Sequence, residues 1–256
     1  ALERLVPVDI LGLKPGRQRY ALFTDAQGGI LDDLMVANRG DHLFVVVNAA
    51  CKEQDVAHMR AHLSDLCEVE ELTDRALVAL QGPSAEAALA KFAPEVADMA
   101  FMEVRGISIL SADCIVSRSG YSGEDGYEIS VPRRAAVALV RALLDNPDVH
   151  PIGLGARDSL RLEAGLCLYG NDIDTTVLEE AWVFGGDHGV TNVRRHLVVT
   201  DRDSVLVIEL GYFDGFAILE GIEGRGLRRV HRLDVARYVF EDCDAGVGDH
   251  RADQKG

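Results

Sequence analysis

The first residues in this sequence that could do chemistry are the adjacent carboxylates Asp32 and Asp33, in Gly28-Gly-Ile-Leu-Asp-Asp-Leu34. Neighbouring side chains on a β-strand point to opposite faces, so one carboxylate can be solvated while the other faces inward. An inward carboxylate is costly unless it is hydrogen-bonded or used, for instance as an acid/base or as a partner for a developing cation. The local pattern alone favours the alternative, two surface Asp residues at the end of a hairpin.

A second candidate is the glycine-rich segment Ser119–Glu128, in which Tyr121 and Glu128 flank a turn. A carboxylate beside an aromatic ring could grip a flat polar heterocycle, because the carboxylate accepts from ring N–H and amine donors while the rings stack. An ordinary hairpin loop with exposed acids explains the segment equally well, and the residues leave both interpretations open.

The third candidate is Arg157, in Gly155-Ala-Arg-Asp-Ser-Leu-Arg-Leu-Glu-Ala-Gly165. It stands near the start of a predicted helix, where the helix dipole disfavours a cation. An arginine in that place could hold an anionic ligand such as a carboxylate. The motif alone slightly favours an ion pair of Arg157 with Asp158 or Glu163.

Other classes of site lack their signatures. There is no G-x-x-x-x-G-K phosphate loop and no G-x-S-x-G nucleophile elbow. The eight His and five Cys show no metal-ligand spacing, so we expect no metal. The net charge of −16 disfavours nucleic acid and anionic membrane surfaces as partners, and no apolar run is long enough to span a membrane.

The elements that must position these residues are strands and helices without a strict βαβ repeat, which predicts an α+β fold. Strands are predicted at Tyr20–Thr24, Ile30–Val36, Leu43–Asn48, Ala76–Gln81 and Tyr127–Val131, and strand material is predicted over Ile107–Val116. The first two form a hairpin around the turn residues Asp25–Gly29. Helices are predicted at Lys52–Leu66, at Glu86–Phe92 with Ser84 as N-cap, at Arg133–Asp145 and at Ala156–Gly165.

Taken together and in this order, the motifs resemble one family, the aminomethyltransferases (T-proteins) of the glycine cleavage system. The resemblance runs from about Leu2 to Thr176 and implies that family's folate-binding α+β fold. It rests on Gly28–Leu34, Val46–Ala50, Leu80–Ser84, Gly120–Pro132 and Ala156–Asp174.

The resemblance implies a transfer reaction that depends on tetrahydrofolate. An aminomethyl group held on the lipoyl arm of the carrier H-protein passes to tetrahydrofolate, which releases ammonia and leaves 5,10-methylenetetrahydrofolate and reduced lipoyl. Tetrahydrofolate is thus the acceptor, no metal is required, and the lipoylated H-protein is the partner. A bacterial cytoplasm or the mitochondrial matrix would suit such a protein.

The resemblance also assigns roles to individual residues. Asp33 matches the family's key acidic residue near the folate nitrogens, where it would orient the folate and favour the iminium-like cation that forms as ammonia leaves. Glu128 matches the carboxylate that binds the pterin ring, and Tyr121 matches an aromatic residue in the same pocket. The remaining folate-binding residues implied in this way are Tyr20, Asn48 and Arg157.

Three alternatives remain. The first is the folate domain of a dimethylglycine- or sarcosine-oxidising enzyme, although the Rossmann fingerprint of its usual flavin domain is absent. The second is an iron–sulfur-assembly protein of the same fold, although its distinctive cysteine motif is absent. The third is an inactive fragment of the family.

The sequence predicts a folate-binding α+β subdomain at 1–72, a second α+β subdomain with the pterin-binding motifs at 73–176, and an unrecognised tail at 177–256. The resemblance implies a segment before Leu2 and a final β-barrel domain, neither of which is recognisable, so we expect an incomplete fold. Our hypothesis for the tail is a frameshift or an alternative terminus. Within the tail, the residue pattern predicts strands at Val205–Leu210 and Phe216–Leu219, and disorder over the last dozen residues.

Overall fold

The computed structural model describes residues 1–176 and 206–207. Two short 3-10 helices, Leu2–Arg4 and Pro94–Asp98, accompany the following elements. In chain order they are β1 (Gln18–Thr24), β2 (Ile30–Asn38), β3 (Leu43–Val47), α1 (Lys52–Leu63), β4 (Arg75–Gln81), α2 (Ala85–Leu89), β5 (Val104–Ile109), β6 (Ala112–Ser117), β7 (Gly126–Pro132), α3 (Arg133–Leu144), β8 (Pro151–Ile152), α4 (Leu154–Glu163) and β9 (Leu206–Val207).

The first sheet is antiparallel, with strand order β1-β2-β3. The predicted β1–β2 hairpin is confirmed, and its turn is organised by Asp25. The Asp25 carboxylate accepts hydrogen bonds from the backbone N–H groups of Gln27 and Gly29, each at 2.8 Å. Gly28 has φ +85°, a conformation that glycine adopts without steric cost. Helix α1 packs its buried Val56, Met59 and Leu63 into the core on one face of this sheet.

The second sheet is antiparallel with order β4-β7-β6-β5, and its core includes the apolar face of α3. The strand material predicted over Ile107–Val116 is confirmed, and it is divided into the end of β5, a turn and most of β6. The turn residues Leu110 and Ser111 have φ of +51° and +64°, which is the twist that closes a two-residue hairpin. Neither residue is a usual signal for such a turn.

The helices were predicted in the right places, with ends that agree within three residues. Ser84 is the N-cap residue of α2, as predicted, but its side chain makes no capping hydrogen bond. No helix within residues 1–176 is long and apolar enough to cross a bilayer. The α+β fold class is confirmed.

The segment 166–176, after α4, returns to the first sheet. Ile173 packs with Leu22 and Ile30 in a small buried cluster, and the backbone N–H of Ile30 donates to the Asp174 carbonyl at 3.2 Å. The boundary between residues 72 and 73 stays a prediction, and the return of this segment ties the two sheets together. In the tail, β9 pairs in parallel with β8; the other predictions for 177–256 lie outside the described residues.

We expect Ile173→Ala to loosen the return segment. Ile173 is 2% exposed, so its truncation should lower the free energy of unfolding by roughly 2 to 5 kcal/mol. The matched control is Leu154→Ala, a leucine that is 65% exposed, with an effect within about 0.5 kcal/mol. Urea unfolding measures both variants, and equal effects of the two would contradict the packing of segment 166–176 on the hairpin.

Candidate functional site

The carboxylate of Asp33 lies at the centre of a group formed by all three strands of the first sheet. The Tyr20 hydroxyl on β1 donates to Asp33 Oδ2 at 3.0 Å. The side-chain amide of Asn48, in the residue after β3, donates to Asp33 Oδ1. The structure therefore brings Tyr20, Asp33 and Asn48 together, although they are distant from one another in sequence.

Within residues 1–176, the hydrogen-bond donors to the Asp33 carboxylate are neutral. Burial raises the pKa of Asp33 above its ordinary value, the hydrogen bonds from Tyr20 and Asn48 lower it in part, and the charge of Asp32 raises it again. The same environment raises the pKa of Tyr20 above its ordinary value, because of burial first and the Asp33 charge second. An anion held by neutral donors is well suited to attract a cation that forms next to it.

Asp32 points to the other face of β2 and is completely buried. Its carboxylate accepts from both donors of Asn48, the side-chain amide at 2.9 Å and the backbone N–H at 3.3 Å. The local expectation of two surface Asp residues at a hairpin end is therefore wrong. The two carboxylates lie within β2 on opposite faces, and tertiary packing rather than local sequence buries them.

Tyr121 and Arg157 form a second group. The Arg157 guanidinium carbon lies 4.4 Å from the centroid of the Tyr121 ring, a cation–π contact. The Tyr121 hydroxyl donates to the backbone carbonyl of Cys167 in the return segment. Burial raises the pKa of Tyr121 to about 12, and the charge of Asp33 contributes to that rise. Tyr121 therefore lies close enough to Asp33 to connect the two groups electrostatically.

Glu128 lies on β7 of the second sheet, opposite Ala79 of β4 and Ser117 of β6. Its side chain is half-buried, and its Oε2 accepts from the Ser119 hydroxyl at 2.6 Å. This hydrogen bond joins the Glu128 side chain to the start of the glycine-rich segment, which also contains Tyr121.

Gln81, at the end of β4, organises that segment and was not predicted. It is 2% exposed, and its amide donates to the backbone carbonyls of Ser119 at 3.0 Å and Tyr127 at 3.3 Å. Its Oε1 accepts from the Ser122 hydroxyl at 3.1 Å. A Cβ on Gly120 would lie 1.5 Å from Gln81 Oε1, so the glycine is needed for close approach. The available signals were an amide at the end of an apolar strand and its place in the segment Leu80–Ser84, which carries the family resemblance.

Arg161 was also missed as a structural residue. It is 4% exposed, donates to Asp158 at 2.7 Å and to the Leu166 carbonyl at 3.1 Å, and pairs with Asp172. The described partner of Asp158 is therefore Arg161, one turn along α4, and Arg161 clamps the start of the return segment. Within residues 1–176 no cluster of three or more His, Cys, Asp or Glu side chains could hold a metal ion.

Comparison with known proteins gives a consistent result. A family model described as the GCVT N-terminal domain matches residues 1–180. The chain is 49% identical over 200 residues to a Homo sapiens protein named mitochondrial aminomethyltransferase. This match covers 72% of this chain and 49% of the relative. It is 40% identical over 222 residues to a protein of the same name from Dictyostelium discoideum, over 76% of this chain and 55% of the relative.

A solved structure shows the same similarity in three dimensions. It is titled as glycine cleavage system aminomethyltransferase T from Bartonella henselae, with a TM-score of 0.64 and 40% sequence identity. The match covers 70% of this chain and 49% of that one. The chain thus spans about half the length of the curated relatives it matches.

The contact of Gly120 with Gln81 can be tested by a double-mutant cycle. Gly120→Ala should lower the free energy of unfolding by about 1–3 kcal/mol, because the new methyl group displaces a buried amide. In a Gln81→Ala background the same change should cost less than about 0.5 kcal/mol, because the amide is gone. Urea unfolding of the four proteins provides the energies, and additive costs would contradict this account of the glycine-rich segment.

Proposed function

Since this chain belongs to the family of the GCVT N-terminal domain, we propose that it acts in aminomethyl transfer to tetrahydrofolate. The donor is the aminomethyl group on the lipoyl arm of the H-protein. The carbon passes to the two nitrogens of tetrahydrofolate, the amine leaves as ammonia, and the lipoyl sulfur leaves as a thiol. The products are 5,10-methylenetetrahydrofolate, ammonia and reduced lipoyl.

The observation that carries this proposal is the carboxylate of Asp33. It is half-buried and is held on both oxygens by the neutral donors Tyr20 and Asn48. When ammonia departs, the transferred carbon becomes part of an iminium-like cation. A fixed anion in a site shielded from water stabilises that cation more strongly than it stabilises the neutral substrates, and this difference lowers the barrier. Asp33 is the proposed catalytic residue.

The other predicted residues are proposed to bind the folate. Glu128 would accept from the N–H and amine donors of the pterin, while the Tyr121 ring lies against the heterocycle. Tyr20 and Asn48 would line the site as they hold Asp33. Arg157, in contact with the Tyr121 ring, would add a positive charge for an anionic part of the ligand, such as a carboxylate of the folate tail.

The partner proposed for this chain is the lipoylated H-protein, with tetrahydrofolate as acceptor and no role for a metal. The proposed compartment is the bacterial cytoplasm or the mitochondrial matrix. The relatives from Homo sapiens and Dictyostelium discoideum carry the word mitochondrial in their names, which supports the second of these.

Calorimetric titration of the purified chain with tetrahydrofolate tests the binding site. Glu128→Ala should weaken tetrahydrofolate binding on the order of tenfold or more, because pterin donors lose their buried acceptor. The control is Glu124→Ala, an exposed carboxylate in the same segment, which should bind with unchanged affinity. Equal affinities of Glu128→Ala and the wild type would refute the role of Glu128. If a well-folded wild type binds no tetrahydrofolate, the proposed function is wrong for this chain.

Asp33→Asn separates catalysis from binding. The amide keeps the shape of the carboxylate, so tetrahydrofolate affinity should remain within a few-fold, whereas kcat with the aminomethylated lipoyl carrier should fall on the order of a hundredfold or more. Ammonia release measures turnover. An unchanged kcat would show that the charge of Asp33 does not act on the transition state.

A further inference from the structure

Asp55 on α1 provides a second carboxyl group near Asp33, and the proposed function does not use it. Asp55 is 1% exposed, and its Oδ2 meets no hydrogen-bond donor in the described part of the chain. The group within hydrogen-bond reach of Asp55 is the carboxyl of Asp32, which is 0% exposed. Two carboxylates cannot hydrogen-bond to each other unless one of them carries a proton. A hydrogen bond between these two buried carboxyl groups therefore requires one shared proton.

In the described part of the chain, no cation contributes to the raised pKa of Asp55. Asp32 is hydrogen-bonded to Asp55, the charge of Asp33 acts on Asp55 from the other face of β2, the Cys51 thiol is hydrogen-bonded to Asp32 from the N-cap of α1, and Tyr169 approaches from the return segment. All of them are acidic or neutral. The desolvation cost of an unpaired buried carboxylate exceeds the stabilisation that the start of a helix gives to an anion. Burial therefore prevails over the helix dipole, and the pair keeps its proton.

The proton belongs mainly to Asp55. Burial, followed by the hydrogen bond and the charge of Asp32, raises the pKa of Asp55 to about 8. At neutral pH Asp55 is thus a neutral acid whose carboxyl donates to Asp32. Since the folded-state pKa lies above the ordinary value for an aspartate, this proton stabilises the fold at low pH, and the stabilisation is lost as the pH rises through about 8.

A continuous chain of contacts leads from this proton to the proposed catalytic residue. Asp32 accepts from the backbone and the side chain of Asn48, and the same side-chain amide donates to Asp33. The amide nitrogen carries two hydrogens, one for each carboxylate. The orientation of Asn48 is thus fixed by Asp32, and the position of Asp33 Oδ1 is fixed by Asn48.

We propose that Asp55 is a positioning residue of this site. By sharing one proton with Asp32 it keeps Asn48, and through Asn48 the carboxylate of Asp33, in the geometry that receives the folate. Loss of that proton places two adjacent charges in a buried space, and their repulsion releases Asn48. The site therefore loses its order when that proton is lost. The role in folate binding rests on the proposed function, whereas the link from Asp55 to Asn48 does not.

The first experiment needs no ligand. The chain contains five asparagines, so selective ¹⁵N-asparagine labelling gives five side-chain amide signals, and Asn48→Ser identifies the one that belongs to Asn48. In the wild type this signal should shift with a midpoint near pH 8. In Asp55→Asn, whose amide still donates to Asp32 but cannot titrate, the shift should be absent. The control Glu53→Gln, an exposed carboxylate in the same helical turn, should titrate as the wild type does.

The second experiment measures tetrahydrofolate affinity by calorimetry at pH 7 and pH 9. At pH 9 about a tenth of the wild-type molecules keep the proton, so affinity should fall about tenfold, whereas Asp55→Asn should change less than about threefold. Asp55→Ala, which removes the donor, should bind about tenfold more weakly than Asp55→Asn at pH 7.

The outcomes separate the two ideas. An Asn48 signal that stays fixed from pH 6 to pH 9.5, or that titrates equally in Asp55→Asn, overturns the positioning role even if tetrahydrofolate binds. An Asn48 signal that titrates near pH 8 only when Asp55 is present supports the link, and the absence of tetrahydrofolate binding would then overturn the proposed function alone.

Discussion

The candidate site depends on one amide group, the side chain of Asn48, which lies between two carboxylates on opposite faces of the same strand. Asp32 and Asp33 are consecutive on β2, so the pleat directs one into the interior and the other toward the site. A single donor nitrogen reaches both of them, at 2.9 Å for Asp32 and at hydrogen-bond distance for Asp33. Any change that turns Asn48 must therefore affect both carboxylates together.

The second half of the chain completes the site by returning to the first sheet. Arg161, itself buried, holds the return segment through Asp172 and the Leu166 carbonyl, and Ile173 packs against the β1–β2 hairpin. In the same segment, the Cys167 carbonyl accepts a hydrogen bond from Tyr121, and the Tyr121 ring makes a cation–π contact with Arg157. The contacts that join the two sheets are thus also the contacts that bring the second group of predicted residues close to Asp33.

The sequence predicts the elements well because their signals are local. Alternating β-branched residues, the Asp25–Gly29 turn and helical periodicity are enough for the first hairpin and for the four helices. The β5–β6 turn was not predicted from local signals, because Leu110 and Ser111 adopt positive φ without the usual glycine or asparagine. The two-residue strand β9 was expected as part of a longer one, and the rest of the tail lies outside the described residues.

The site itself is less local. From their own surroundings in sequence, Asp32 and Asp33 were expected at the surface, and only the resemblance to a known family pointed to Asp33, Tyr20 and Asn48 as one group. Gln81, Arg161 and Asp55 were not predicted, because a buried amide, a buried guanidinium and a protonated carboxyl acquire their roles from tertiary neighbours. A sequence pattern records spacing along the chain, whereas desolvation and hydrogen bonding depend on what is close in space.

The measurement that tests the central claim most directly is a crystal structure of this chain with bound tetrahydrofolate. Our account predicts the reactive folate nitrogens beside the Asp33 carboxylate, with the amine donors of the pterin at Glu128. A folate bound elsewhere, with Asp33 still held by Tyr20 and Asn48 but facing no ligand atom, would contradict it.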